Sequence, residues 1–314
     1  MSTALLSGPI YREHLAGRVG HPERPGRYDA VMRALEKSGL TQDLLPVKPR
    51  EATGEELLLC HTPKYLKIAK NDVDAGAPSL STGDTDIGRN SWDVASHAVG
   101  GVLNAVDAVI SGQARNAFCA VRPPGHHASA GRGMGFCLFN NVAIAARYAQ
   151  RKHGMDRVMI VDWDVHHGNG TQDIFYSDPS VFFFSTHQWP LYPGTGRADE
   201  TGEGEGLGTT MNFPCPAGSG RAEILGAVEE SLAPAAEQFR PDLLLISAGF
   251  DSRIGDLLGQ FTLTDDDFAD LTRAVMEMAE RYAGGRVVSL LEGGYNLSGL
   301  ASAAMRHVET LAGH

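Results

Sequence analysis

Cysteine is scarce in this chain. Four occur in 314 residues, at Cys60, Cys119, Cys137 and Cys215, and none stands in a CxxC pair. This argues against a disulfide scaffold and a thiolate zinc site, and a reducing, cytoplasmic compartment is the expectation. Positive charge is also short: 27 Lys and Arg face 38 Asp and Glu, a formal net charge of −11. Nucleic-acid binders carry basic stripes, so nucleic acid is not an expected partner. Nothing approaches the apolar length of a membrane span, and no membrane association is expected. Residues 1–9 lack the basic start and apolar run of a secretory signal. Repeats, low-complexity tracts and Ser/Gly linkers are missing too, which predicts one domain over residues 1–314.

What is present is a hydrophobic content of 42%, enough for a full core without staples. His21-Pro-Glu-Arg-Pro-Gly-Arg27 reads as a proline-rich entry to a helix that stops at Gly39. Arg24 and Arg27 read by default as surface charge. Thr53-Gly-Glu-Glu56 is a capping box. Residues 71–90 read as loop, and a helix follows over 91–112. From there strands and helices alternate. Strands are predicted at 116–121, 157–162, 181–186, 209–213, 242–247 and 286–291. Helices are predicted at 140–152, 171–176, 222–238 (with Pro234 a kink), 264–283 and 298–311. Continuous apolar strands separated by helices predict an α/β fold, a mainly parallel sheet covered on both faces.

Ligands bind at the carboxyl ends of such strands. There the sequence places Arg122-Pro-Pro-Gly-His-His127, Asp162-Trp-Asp-Val-His-His167, His187, Asp251 and Glu292-Gly-Gly-Tyr295. Ionisable groups of that density are costly to bury unless each finds a partner. Asp164 and His166, two apart on an extended segment, point the same way. With Asp251 they form two carboxylates and an imidazole, the donor set of a catalytic metal site with open positions. His126 and His127 read as acid–base groups; Asp162 could hold the far nitrogen of one and Asn169 could orient the other without adding charge. Tyr295, on a glycine-rich turn, could stabilise an oxyanion. Phe136 and Tyr192 lie in glycine-rich loops. Composition alone favours ordinary packing for them, with an apolar tunnel as the functional reading. His167 is left as a packed residue behind the ligands.

These motifs, with Gly135-Phe-Cys137 and Ala248-Gly-Phe-Asp251, resemble the histone deacetylase family, its class II and bacterial deacetylase-like members above all. The resemblance runs from His21 to Tyr295. It implies the arginase/deacetylase fold, a single three-layer domain around a mainly parallel, roughly eight-stranded sheet. It implies Zn²⁺, or Fe²⁺, on Asp164, His166 and Asp251. It casts His127 as general base and acid, His126 as its partner held by Asp162, Asn169 beside His127, and Tyr295 as the transition-state hydroxyl. Phe136, Tyr192 and the Gly135 carbonyl would line an acyl-lysine channel. Structural K⁺ would sit on carbonyls of Asp162, Asp164 and His166 with the Ser185 hydroxyl. Arg27 resembles the arginine of an internal channel. The activity implied is removal of acetyl or other acyl groups from the lysines of proteins or peptides. Acetylated polyamines are the alternative substrates. Relatives acting on polyamines tend to carry an acidic residue at the channel mouth, where this chain aligns Leu258. Asp84 or Asp86 could grip either a peptide backbone or a polyamine amine. An inactive acyl-lysine binder and a dinuclear arginase-type hydrolase are the remaining readings. The first is disfavoured because the site residues are complete, the second because it wants DxHxD where this chain has DxDxHH. Assembly into a homo-oligomer is left open.

Overall fold

The computed structural model describes residues 2–314. Its core is an eight-stranded, all-parallel sheet. The strands are β1 (Thr3–Leu6), β2 (Leu45–Val47), β3 (Asn116–Cys119), β4 (Val158–Asp162), β5 (Val181–Gln188), β6 (Thr210–Cys215), β7 (Leu243–Ala248) and β8 (Val287–Leu291), in the spatial order β2-β1-β3-β8-β7-β4-β5-β6. The central strands read VMIVD, LLLISA and VVSLL and are buried along their whole length, as strands covered on both faces must be. Parallel pairing sends every strand end to one edge. The order β3-β8-β7-β4-β5 then sets the loops bearing His126, Glu292, Asp251 and Asp164 side by side, next to His187 near the end of β5.

Most predicted elements lie where patterning places them, within a residue or two. Two strands are not predicted by it. β1 is four residues long and β2 three, too short to show a period, and Pro46 in β2 is tolerated because that strand lies at the sheet edge. β5 runs on to Gln188, so His187 lies within the strand rather than after it. The kink expected near Pro234 takes the form of a wide π-type turn, Val228–Leu232, between helices Arg221–Ala227 and Ala233–Phe239. Proline has no N–H to give the preceding turn, which loosens the ladder there. Among the described residues no helix is long and apolar enough to cross a membrane.

Arg27 departs from the surface reading, while Arg24 is exposed. The Arg27 side chain is buried, with Nε donating to the Gly294 carbonyl (2.6 Å), Nη2 to the Glu292 carbonyl and Nη1 to Glu23 (3.2 Å). Glu23 also takes two hydrogen bonds from the buried Arg122, at 2.5 and 2.6 Å. Burial alone would raise the Glu23 carboxyl; the Arg122 charge, helped by His14 and Arg27, overcomes it and pulls the group from 4.5 to about 2. A depressed carboxyl contributes stability above its unfolded value, lost as pH falls through the folded one. Removing one partner of a buried pair leaves the other charge uncompensated, at about 3–5 kcal/mol. Urea denaturation of E23Q at neutral pH should therefore show a loss of that order. The gap between wild type and E23Q should close as pH drops from 4.5 towards 2. A gap that does not change with pH would refute the pairing.

Candidate metal centre and acid–base pair

Asp164 and His166 lie on the segment that leaves β4, which bends at 164–166 instead of running extended as the sequence predicts, because the Asp162 and Asp164 side chains each accept from the backbone N–H two residues on; Asp251 lies on the turn after β7. Asp164 Oδ2 accepts from the Gly293 N–H (2.8 Å) and Oδ1 from the His166 N–H (2.9 Å). Asp251 Oδ1 accepts from the Val165 N–H (3.0 Å). The carboxylates are thus fixed by backbone. Asp164 Oδ1 and Asp251 Oδ2 stand 3.0 and 3.2 Å from His166 Nδ1. Ligand atoms of all three residues lie within 4.8 Å of one another, and all three are buried. Burial and then the Asp164 charge push Asp251 up to about 7. Burial would lower His166, but its hydrogen bonds to Asp164 and Asp251 win and raise it to about 10. Two buried carboxyl groups and one imidazole converge here, the oxygen and nitrogen donors that a divalent ion prefers.

His126 and His127 follow β3 on the turn opened by Arg122-Pro-Pro-Gly125, their rings 4.0 Å apart. His126 Nδ1 meets Asp162 Oδ2 at 2.9 Å and His127 Nδ1 meets Asn169 Oδ1 at 2.8 Å. The partners differ in charge, and so do the rings. Burial disfavours the His126 cation, yet the Asp162 and Asp164 charges raise it to about 10. Burial and then the His126 charge push His127 well below its ordinary value. The Asn169 carbonyl oxygen can only accept, so His127 Nδ1–H donates and Nε2 keeps its lone pair.

A cavity of about 400 Å³ opens above these groups, lined by Asp84, His127, Gly135, Phe136, His166, Leu191, Tyr192, Leu258 and Tyr295. Phe136 and Tyr295 meet edge to face at 5.9 Å, and the Arg27 guanidinium lies over the Tyr295 ring at 4.9 Å. Asp84 ties the mouth together, accepting from the Gly135 N–H and the Tyr192 hydroxyl, both at 2.9 Å. Asp86 is not among the lining residues. It pairs with Arg18 at 2.6 Å and faces His21 at 3.5 Å, because its side chain turns to the loop before the first long helix. Asp162 and Ser185 are register partners on β4 and β5, and Ser185 Oγ lies 3.0 Å from His187 Nδ1. His167 is engaged by Thr195 and Gln172 at 2.8 and 2.9 Å, away from the ligands.

Some residues escape sequence reasoning. Leu191 looks like any loop leucine. Asp256 accepts from the N–H groups of Tyr295 (2.7 Å), Asn296 (3.0 Å) and Leu258 (2.9 Å), tying the Leu258 loop to the tyrosine turn. An aspartate capping its own loop two residues on was the available signal. Glu23 becomes visible only once Arg27 and Arg122 are known to be buried.

The chain matches the family model described as "Histone deacetylase domain" over residues 21–311. The chain belongs to the histone deacetylase family. Similar proteins include the polyamine deacetylase HDAC10 of Homo sapiens, 43% identical over 93% of this chain and 44% of that protein. A probable deacetylase of Archaeoglobus fulgidus is 40% identical over 95% of this chain and 83% of its own length. A histone deacetylase-like amidohydrolase of Pseudomonas aeruginosa is 40% identical over 94% and 78%. The chain thus spans under half of the human relative and most of the two microbial ones. The crystal structure of the HDA15 HD domain superposes with a TM-score of 0.94 at 37% identity, covering all of this chain and 90% of that one.

Close approach governs Gly135. Its φ is +57° and a Cβ there would overlap the His127 ring. Phe136 itself holds φ +67°, a strained backbone for an aromatic residue. G135A should fold and bind metal with wild-type stoichiometry while losing about 100-fold in kcat, since a misplaced acid–base group costs on that order. Steady-state kinetics beside metal analysis checks this, and unchanged kcat would mean that the ring does not need its present place.

Proposed function

We propose that this domain is a zinc-dependent amidohydrolase that removes acetyl or other acyl groups from lysine side chains of proteins or peptides. The observation that carries the reading is a pair of adjacent buried histidines, one against the Asp162 carboxylate and the other against the Asn169 carboxamide, beside a three-residue candidate metal site at the base of one apolar cavity. Asp164, His166 and Asp251 would hold zinc (or ferrous iron), which when bound polarises the amide and makes water nucleophilic. The chain's own groups do the rest. His127, kept neutral by burial and by the His126 charge, takes a proton from the attacking water at Nε2. His126, held by Asp162, steadies that proton electrostatically, and Asn169 fixes the His127 tautomer. Tyr295 donates its hydroxyl to the developing oxyanion. His127 then gives its proton to the leaving amine. Gly135, Phe136, Tyr192 and Leu258 are assigned to the acyl-lysine channel and Asp84 to the substrate's polar groups at the mouth. Structural K⁺ on the carbonyls of Asp162, Asp164 and His166 with Ser185 belongs to the same proposal. So does a cytoplasmic location, supported by four buried cysteines without a disulfide among them.

Acetylated polyamines are the second reading. One of the relatives is named a polyamine deacetylase, and Asp84 places a carboxylate on the cavity wall. Leu258 weighs against it, since an apolar side chain in that lining offers nothing to a protonated amine. The deciding assay compares kcat/KM for an acetyl-lysine peptide, longer acyl-lysine peptides and N-acetylputrescine. The peptide should lead, and L258E should shift the ratio towards the polyamine by about tenfold or more. A polyamine preference of orders of magnitude in the wild type would sink the first reading. Chelation should abolish turnover and Zn²⁺ restore it. H127A should lose about 100-fold or more in kcat with its metal retained, and full activity in H127A would remove the base assignment.

A further inference from the structure

Glu292 follows β8 directly, and its side chain is fully buried. One carboxylate oxygen, Oε2, accepts from the backbone N–H of Gly125 at 2.6 Å and of His126 at 3.2 Å. The other, Oε1, has no hydrogen-bond partner. The main chain of Glu292 is clamped on both sides. Its N–H donates to the Ala248 carbonyl at the end of β7 (3.0 Å), and its carbonyl accepts from the Arg27 guanidinium. A residue held this way cannot drift, so its side chain is a fixed post between β8 and the turn after β3. Without its carboxylate two buried N–H groups would go unsatisfied and the turn would relax to find other partners. That turn bears both histidines, whose rings stay 4.0 Å apart only while its backbone holds.

We infer that Glu292 is a positioning residue, whose carboxylate fixes the Gly125–His126 backbone and through it sets His126 against Asp162 and His127 against Asn169. It is not among the residues that line the cavity, and its side-chain hydrogen bonds go to Gly125 and His126 and not to Asp164, His166 or Asp251. The inference rests on the deacylase reading for its kinetic consequence but not for its structural one. E292Q keeps an acceptor oxygen for the two N–H groups and puts its amide NH₂ where Oε1 now has no partner, whereas E292A removes the post.

Holoprotein carrying E292A or E292Q is compared with wild type by kcat and KM on an acetyl-lysine peptide, metal content, thermal midpoint and the NMR resonances of the histidine ring N–H groups. E292A should lower kcat about 10–100-fold, as for other groups that orient a metal site, with KM and metal content little changed and the His126 Nδ1–H resonance displaced. E292Q should restore most of kcat and return the resonance. Wild-type kcat and an unmoved resonance in E292A would overturn the inference, as would an E292Q no better than E292A. Should E292A fail to fold, E292Q decides: near-wild-type kcat and resonance support the role, and loss of both refutes it. A wild-type protein that hydrolyses no acyl-lysine would refute the deacylase reading alone, because the resonances still report whether Glu292 holds the turn.

Discussion

A carboxylate moved from water into a protein interior must find a counter-charge, hydrogen-bond donors or a proton. Glu23, Asp162, Asp164, Asp251 and Glu292 are all fully or almost fully buried near one edge of the sheet, and much of the local structure answers to that constraint. Glu23 is met by Arg27 and Arg122. Asp162 is met by His126. Glu292 is met by two backbone N–H groups. Asp164 and Asp251 face one imidazole between them, His166. The candidate metal site is thus where buried carboxyl groups converge on a single imidazole.

The same constraint explains the ionisation split of the two histidines. Identical side chains in adjacent positions would titrate alike in water. Here one ring faces a carboxylate and the other a carboxamide, and the charge raised on the first suppresses charge on the second. The neutral ring is the one that lines the cavity. The acid–base role proposed for the pair therefore depends on Asp162 and Asn169 together, and it would not survive exchanging the two partners.

Much of this was legible in the sequence because the chemistry is local. Asp164 and His166 are two residues apart on one short segment, and His126 and His127 are neighbours, so spacing alone brings them near one another. The central strands announce themselves as apolar runs. What stayed illegible depends on tertiary contact. β1 is a strand because β3 offers an edge to pair with, and β2 because β1 in turn offers one. Arg27 looks like surface charge until Glu23 and the carbonyls of Glu292 and Gly294 surround it. Asp84 and Asp86 share a loop and a residue type, and only the fold decides that the first reaches the cavity while the second turns to Arg18.

Depth separates what is fixed from what can vary. The two histidines and the candidate metal ligands are buried and tied by hydrogen bonds to their neighbours, so a change in one disturbs the rest. At the mouth Asp84 is exposed, Tyr192 is 37% exposed, and Leu257, beside Leu258, is 66% exposed. Side chains with a solvent face can change without leaving a buried group unpaired, and surface substitutions usually shift stability little. A fold of this kind can therefore keep one hydrolytic centre while its rim is altered for peptide or polyamine. The coupling between the two layers is itself visible: Asp256 reaches from the Leu258 loop to the Tyr295 backbone, so substitutions at the mouth that move Asp256 would be felt at the tyrosine, in kcat as well as KM.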